Sequence, residues 1–230
     1  MKFRFILAAA SAAAALMFVS CKQDNPIDDE EIDDEEEVVD QSAIKIDGEF
    51  ADWAVLEGAA SVVLPEGDIA FDAMKVFKAY ADADYIFLYF EIDRTSVATM
   101  DLFIDLDNDK ATGQTANWPE MGAEVLLQAS FNSEMKDAGI YNPIVRTYIG
   151  TPGATEWQWM DEAGQNFTTS AIFAKSDEII QVEMKMIKQM MVLPDLGDVF
   201  TIGAIVEDSN WSIVGKLPVE DAGLTVTAVK

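Results

Sequence analysis

The stretch "DEIIQVEMKMI", residues 177–187, decides the fold. Ile180, Val182, Met184 and Met186 alternate with Gln181, Glu183 and Lys185. Only an extended chain, whose side chains point to opposite faces in turn, sends one such set to a core and the other to water. In "DYIFLYFEID", residues 84–93, both sets are apolar, with Ile86, Leu88, Phe90 and Ile92 on one face and Tyr85, Phe87 and Tyr89 on the other. A strand of that kind is covered on both sides and sits centrally in its sheet. Its predecessor "MKVFKAYAD" runs into "ADADY", a turn-forming join that predicts a hairpin. Further strands are predicted at "MDLFIDLD", "AEVLLQASF", "PIVRTYIG", "EWQWM", "TSAIFA", "DVFTIGAIVED" and "GLTVTAV", and a short helix at "MIKQMMVL", closed by Pro194. Short apolar segments punctuated by Gly, Pro, Asn and Asp specify an all-β fold, an antiparallel sandwich of jelly-roll or immunoglobulin-like layers with few short helices. Residues 43–230 contain no convincing linker and no internal repeat, which fits one domain with a proper core.

The preceding residues are of another kind. Lys2 and Arg4 lead into an apolar run from Phe5 to Val19, and Ser20 stands just before Cys21, the chain's single cysteine. That is the layout of a secretory signal peptide over residues 1–20, and the run is shorter than the roughly 20 apolar residues a spanning helix needs. Phe18-Val19-Ser20-Cys21 resembles the lipobox of bacterial lipoproteins, in which the cysteine becomes the lipid-bearing, palmitate-carrying first residue of the mature chain. After it comes "DNPIDDEEIDDEEE". A block so charged repels itself and buries too little to offset the entropy of ordering, so residues 21–42 read as a lipidated cysteine and a disordered tether. The tether is either a plain solvated spacer or, by resemblance to surface lipoproteins of some Gram-negative bacteria, the signal that places the protein on the outer face of the outer membrane.

Composition excludes several functions. Forty-two acidic residues against 15 basic ones give a formal charge of −27, which repels phosphate backbones and argues against nucleic-acid partners. The same charge favours neutral or basic ligands over anionic ones. The chain has no histidine, so imidazole-based triads and histidine zinc sites are absent.

Three motifs carry chemistry. "IDGEFADW", with Asp47, Gly48, Asp52 and Trp53, reads as a tight turn followed by a buried Trp. In "DLDNDKATG", Asp105, Asp107 and Asp109 alternate just after a strand. They suit either a hard cation such as Ca²⁺ or an acidic turn in which Asn108 and Gly113 supply the unusual backbone angles. Lys110 and Ala116 exclude an EF-hand. In "EWQWM", Trp157 and Trp159 are two apart, and on a strand they face the same side. They form either an aromatic platform for a sugar ring or a core plug beside an edge cover. Trp118 and Trp211, at loops or strand ends, are candidates to join such a site.

Taken in order, "IDGEFADW", "FKAYADADYIFLYFEID", "DLFIDLDNDKATG", "GAEVLLQASF", "EWQW", "VEMKMI" and "IGAIVEDSNW" resemble the carbohydrate-binding module family 9-like, or DOMON-like, β-sandwich of surface lipoproteins in glycan-utilisation systems. The resemblance spans nearly all of residues 44–217. It implies a lectin-like sandwich, a divalent cation near Asp105, Asp107 and Asp109, and aromatic residues, Trp157 and Trp159, that grip sugar. Related DOMON-like domains hold haem through Met and His; without histidine that branch does not transfer, and the methionines read as core filler.

Three functions compete on the sequence. The first is a non-catalytic module that captures a glycan or polysaccharide through Trp157, Trp159 and Trp118 at the cell surface. The second is an assembly lipoprotein that docks on an outer-membrane transporter complex, for which the tryptophans are buried and an apolar patch is exposed elsewhere. The third is a glycoside hydrolase, which needs one particular carboxylate pair across a cleft, and no pair stands out.

Overall fold

The computed structural model describes residues 42–230 except 68, 131–142, 163–167 and 189–195. The expected signal peptide, Cys21 and the expected tether up to residue 41 lie outside the described residues, as do residues 189–193 of the helix expected at 186–193, whose Met186 and Ile187 instead end a strand. Among the described residues, twelve strands follow a four-residue helix, α1 (Asp52–Val55). They are β1 (Ala60–Val63), β2 (Met74–Ala81), β3 (Tyr85–Asp93), β4 (Thr99–Asp105), β5 (Val125–Ser130), β6 (Ile144–Tyr148), β7 (Trp159–Asp161), β8 (Thr168–Ala174), β9 (Ile179–Ile187), β10 (Val199–Glu207), β11 (Ile213–Leu217) and β12 (Leu224–Thr227). One sheet has the order β1-β2-β3-β9-β8; the other runs β11-β10-β4-β5-β6-β7, with β12 also paired to β10. Every pairing is antiparallel. The fold is an all-β sandwich, and β3 lies at the centre of its sheet.

Alternation builds the core between the sheets. Ile86, Leu88, Phe90 and Ile92 of β3 and Ile180, Val182, Met184 and Met186 of β9 meet Met100, Leu102 and Ile104 of β4 and Phe200, Ile202, Ala204 and Val206 of β10. The β2–β3 hairpin forms as the turn residues require, with Asp82 Oδ1 accepting the N–H groups of Asp84 and Tyr85. Strands β1 and β11 are additions to the sequence reading; each is short, and neither alternates cleanly enough to be recognised alone.

The second face of each sheet is also covered. Outside the first sheet, Tyr80, Phe87 and Tyr89 are buried with Ile44 and Trp53 of the N-terminal segment. Trp53 Nε1 and the Gly48 N–H both donate to Glu183, each at 3.2 Å. The "IDGEFADW" motif therefore does what its composition suggests: Gly48 takes φ +83°, and the Trp seals the sheet. Outside the second sheet, Phe103, Leu126 and Ile205 are roofed by Trp118, Met121 and Ala123 from the long β4–β5 loop.

Trp118 corrects the sequence reading. It is 2 % exposed, meets Phe103 edge-on at 5.9 Å and donates through Nε1 to the Pro218 carbonyl at 2.9 Å. Its indole lies directly on Gly203, where an added Cβ would come within 2.5 Å of the ring. A residue so enclosed touches no external ligand.

Two expectations follow. Trp118→Ala should cost about 3–5 kcal/mol in denaturant unfolding, the usual range for emptying a large aromatic site. The second concerns Glu183, whose buried carboxyl titrates near 7 rather than 4.5; burial is the dominant cause, and its two donors oppose it. Between those values the folded chain holds a proton that the unfolded chain has released, so stability falls as pH rises from about 4.5 to about 7. Thermal melts across that range should show this slope, flattened in Glu183→Gln.

Candidate functional site

The strand register sets out the outer face of the second sheet in rows. Ile205, Asp101, Gln128 and Ile144 stand opposite one another in one row, and Gly203, Phe103, Leu126, Arg146 and Asp161 in the next. The Trp118 loop roofs part of this face. Beyond the roof opens a cleft of about 370 Å³ lined by Gln128, Arg146, Glu207, Trp157 and Trp211, within the size of ordinary ligand pockets, roughly 300–1,000 Å³.

Its walls are two exposed indoles, Trp157 at 57 % and Trp211 at 65 %. Trp157 precedes β7, and its neighbours are pinned: Gln114 Nε2 donates to the Glu156 carbonyl at 3.0 Å and the Ile149 N–H to the Gln158 carbonyl at 2.9 Å. Trp159 is half-buried and meets Trp157 edge-on, with centroids 6.2 Å apart and planes at 64°. It packs in turn on Phe103 at 5.9 Å and Tyr148 at 5.2 Å. The expected flat platform of Trp157 and Trp159 is thus a wall and its buttress. The reason is backbone geometry: β7 begins only at Trp159, so the same-side rule of a strand does not reach Trp157.

Trp211 forms the other wall. It has φ +63°, a left-handed conformation uncommon for a bulky residue. Asp208 holds the turn, its Oδ1 accepting the N–H groups of Asn210 at 2.8 Å and Ser212 at 3.0 Å, while the Trp211 N–H donates to the Asp208 carbonyl at 3.1 Å. Backbone strain maintained by its surroundings is typical of residues held for a ligand.

The floor is a polar chain. Arg146 donates through Nε to Asp161 at 2.6 Å and through NH1 to Gln128, and Gln128 Nε2 donates to Asp101 Oδ2 at 2.8 Å. Asp101 is fully buried, and burial, with the Glu207 charge adding to it, lifts its carboxyl to about 7 against the pull of Gln128. Asp101 Oδ1 and Glu207 Oε2 have no hydrogen-bond partner among the described residues. Glu207 lines the cleft; Asp101 supports the floor from beneath.

The acid-rich loop forms a second cluster. Ligand oxygens of Asp105, Asp107 and Glu124 lie within 4.8 Å of one another. Asp109 is elsewhere, its Oδ1 closing a turn by accepting the Ala111 N–H at 2.9 Å. Glu124 takes its place because β4 and β5 pair up to Ile104 and Val125, which brings the residue before β5 back beside the loop. Asn108 supplies the left-handed angle, φ +58°. Burial, with repulsion inside the cluster added, raises the carboxyl of Asp105 and lifts that of Glu124 to about 7. Asp105 is 2 % exposed, and its Oδ1 has no partner among the described residues. Hard oxygen donors, mutual repulsion and an orphaned buried oxygen fit a divalent cation such as Ca²⁺, which would neutralise the cluster.

This loop also carries the Trp157 arm. The Gly153 N–H donates to the Gly113 carbonyl at 2.8 Å, the Thr115 N–H to the Ala154 carbonyl at 3.0 Å, and Gln114 reaches Glu156 as described. A cation that tightens the loop therefore firms one wall of the cleft. Saturating Ca²⁺ should raise the melting temperature by about 5–10 °C, the result of binding at ~100 times Kd in a domain of this size. Asp105→Asn or Glu124→Gln should remove the shift, and Asp109→Asn should keep it.

No family model matches this chain, and no curated protein matches it. Among solved structures it is similar to a carbohydrate binding module family 9 (CBM9) from Caldicellulosiruptor kristjanssonii in complex with cellotriose, at 9 % identity and a TM-score of 0.37, over 80 % of this chain and 86 % of that one.

Proposed function

We propose that this chain is a non-catalytic, carbohydrate-binding lipoprotein of the outer membrane, tethered through Cys21 on the cell surface, that holds a glycan in the cleft between Trp157 and Trp211. The observation that carries the reading is the pairing of two exposed indoles with a polar floor. Pyranose rings present flat C–H faces that lie on aromatic rings, while their rim hydroxyls need donors and acceptors. Arg146 and Gln128 supply donors, and Glu207 an acceptor with nothing yet to accept. A docking protein would bury these rings. A hydrolase would need two accessible carboxyls facing one bond, whereas Asp101, the neighbour of Glu207, is sealed beneath the floor.

The N-terminal sequence supports the cellular half of the proposal, with a lipobox-like run ending at Cys21 and an acidic stretch after it. A transporter of the same glycan is the natural partner in that setting. The chain without its first 42 residues should be retarded in native gels containing one class of neutral or basic polysaccharide. Trp157→Ala or Trp211→Ala should weaken binding about tenfold or more, as loss of a central aromatic contact does. Retardation by no polysaccharide would overturn the binding reading, and a Cys21→Ala chain that still fractionates with membranes would overturn the anchor.

A further inference from the structure

The cleft is unevenly charged for a site that meets only neutral sugar. Around it stand the carboxylates of Glu207, Asp208 and Asp161, against the single guanidinium of Arg146. That guanidinium is already engaged with Asp161 and Gln128. Lys216, on the neighbouring strand, lies over Trp118 at 5.1 Å and reaches the Glu220 carbonyl, so its charge is drawn away from the cleft. Asp208 is occupied by backbone N–H groups of its own turn. Glu207 is left, with Oε2 buried and unpartnered at the edge of the cleft and Asp101 Oδ1 unpartnered beneath it.

A neutral ring could lend a hydroxyl proton to Glu207 but would leave the charge imbalance in place. A ring-borne ammonium supplies donors and the opposite charge together, and hydrogen bonds of that kind are roughly twice as strong as neutral ones. The indole walls point the same way, because the faces of Trp157 and Trp211 attract cations as well as C–H groups. The whole chain, at −27, draws a cation toward the surface.

Resting on the glycan-binding reading, we infer that the cleft selects glycans carrying a free, protonated amino group, such as glucosamine residues without their N-acetyl group, with Glu207 as the acceptor and Trp157 and Trp211 as the walls. N-acetylation removes the charge and adds bulk where Glu207 needs a donor, so acetylated chains bind less well. Asp101 holds Gln128 in place from below.

The test is calorimetric titration of the full chain, in detergent, with a glucosamine tetrasaccharide, its fully N-acetylated form and cellotetraose, at about pH 6, where an amine on a sugar ring, more acidic than an ordinary α-amino group, is still mostly protonated. The amino form is expected to bind at least tenfold more tightly than the other two, with the advantage shrinking as salt is raised. In Glu207→Gln, the ratio between the amino form and cellotetraose should fall to within about threefold, since an isosteric amide removes the charge. Equal affinity for cellotetraose and the amino sugar overturns this inference and leaves the glycan-binding reading intact. No binding of any of the three sugars, nor of any polysaccharide in the gels, overturns that reading as well. Amino-sugar binding that survives both Trp211→Ala and Glu207→Gln is diffuse adsorption to an acidic surface and overturns the inference. Equal, Trp211-dependent binding of a lysine tetrapeptide overturns the assignment to a sugar.

Discussion

The outer face of the second sheet depends on the contact between Trp118 and Gly203. An indole can lie on a strand only where the strand has no side chain, and Gly203 supplies that gap in the middle of a largely apolar β10. Seated there, Trp118 fixes the long β4–β5 loop on the sheet, with Phe103 against its edge. The loop then holds three carboxylates together at one end and, through Gln114, Thr115 and Gly113, supports the segment that presents Trp157. From Trp118 through Phe103 and Trp159 to Trp157, ring meets ring at about 6 Å, so the exposed wall of the cleft is joined by packed aromatics to the roof of the sheet.

This explains why one part of the molecule was legible in its sequence and another was not. Strand periodicity is local, and the alternation in β9, the two-sided apolarity of β3 and the Asp-rich hairpin turn gave the sandwich and the central place of β3 directly. The site is a matter of tertiary contact. Trp118, beside Pro119 in a polar loop, reads as a surface aromatic, and the opposing signal lies some eighty residues away in a glycine interrupting a strand. Glu124 escapes the sequence pattern for a related reason: the alternation of carboxylates lies within one loop, whereas antiparallel pairing of β4 with β5 returns the third from the far end. That pairing could have been foreseen from two adjacent strands, and it would have replaced Asp109 with Glu124. Trp211 was seen as a strand-end aromatic, but its left-handed backbone, held by Asp208, cannot be read from residue identity.

Acidity does different work in different places. On the surface it repels polyanions. Buried, it is costly unless partnered, and the chain treats its inner carboxyls in two ways. Glu183 is satisfied by Trp53 and Gly48 and becomes part of the seal on the first sheet. Asp105, Asp101 and Glu207 each keep an oxygen without a protein donor, and all three border either the carboxylate cluster or the cleft. Unsatisfied buried oxygens are uncommon in a folded core. Among the described residues they are confined to these two places, which marks the outer face of the second sheet as the part prepared for something beyond itself.

Preparation of this kind also bears on how tightly the cleft can hold. A surface tryptophan free to rotate loses side-chain entropy when a ligand orders it, and that loss offsets part of the stacking gain. Here both walls are restrained before any ligand arrives. Trp157 is buttressed by Trp159 and flanked by pinned carbonyls, and Trp211 sits on a turn that Asp208 closes with two hydrogen bonds. The floor is fixed as well, since Arg146, Gln128 and Asp101 are joined in series across three strands. A ligand that fits such a cleft finds its partners already placed, so small differences in its rim groups translate into differences in affinity with little compensation from the protein. On the reading proposed above, Glu207 borders that rigid floor, and selectivity there gains most from it.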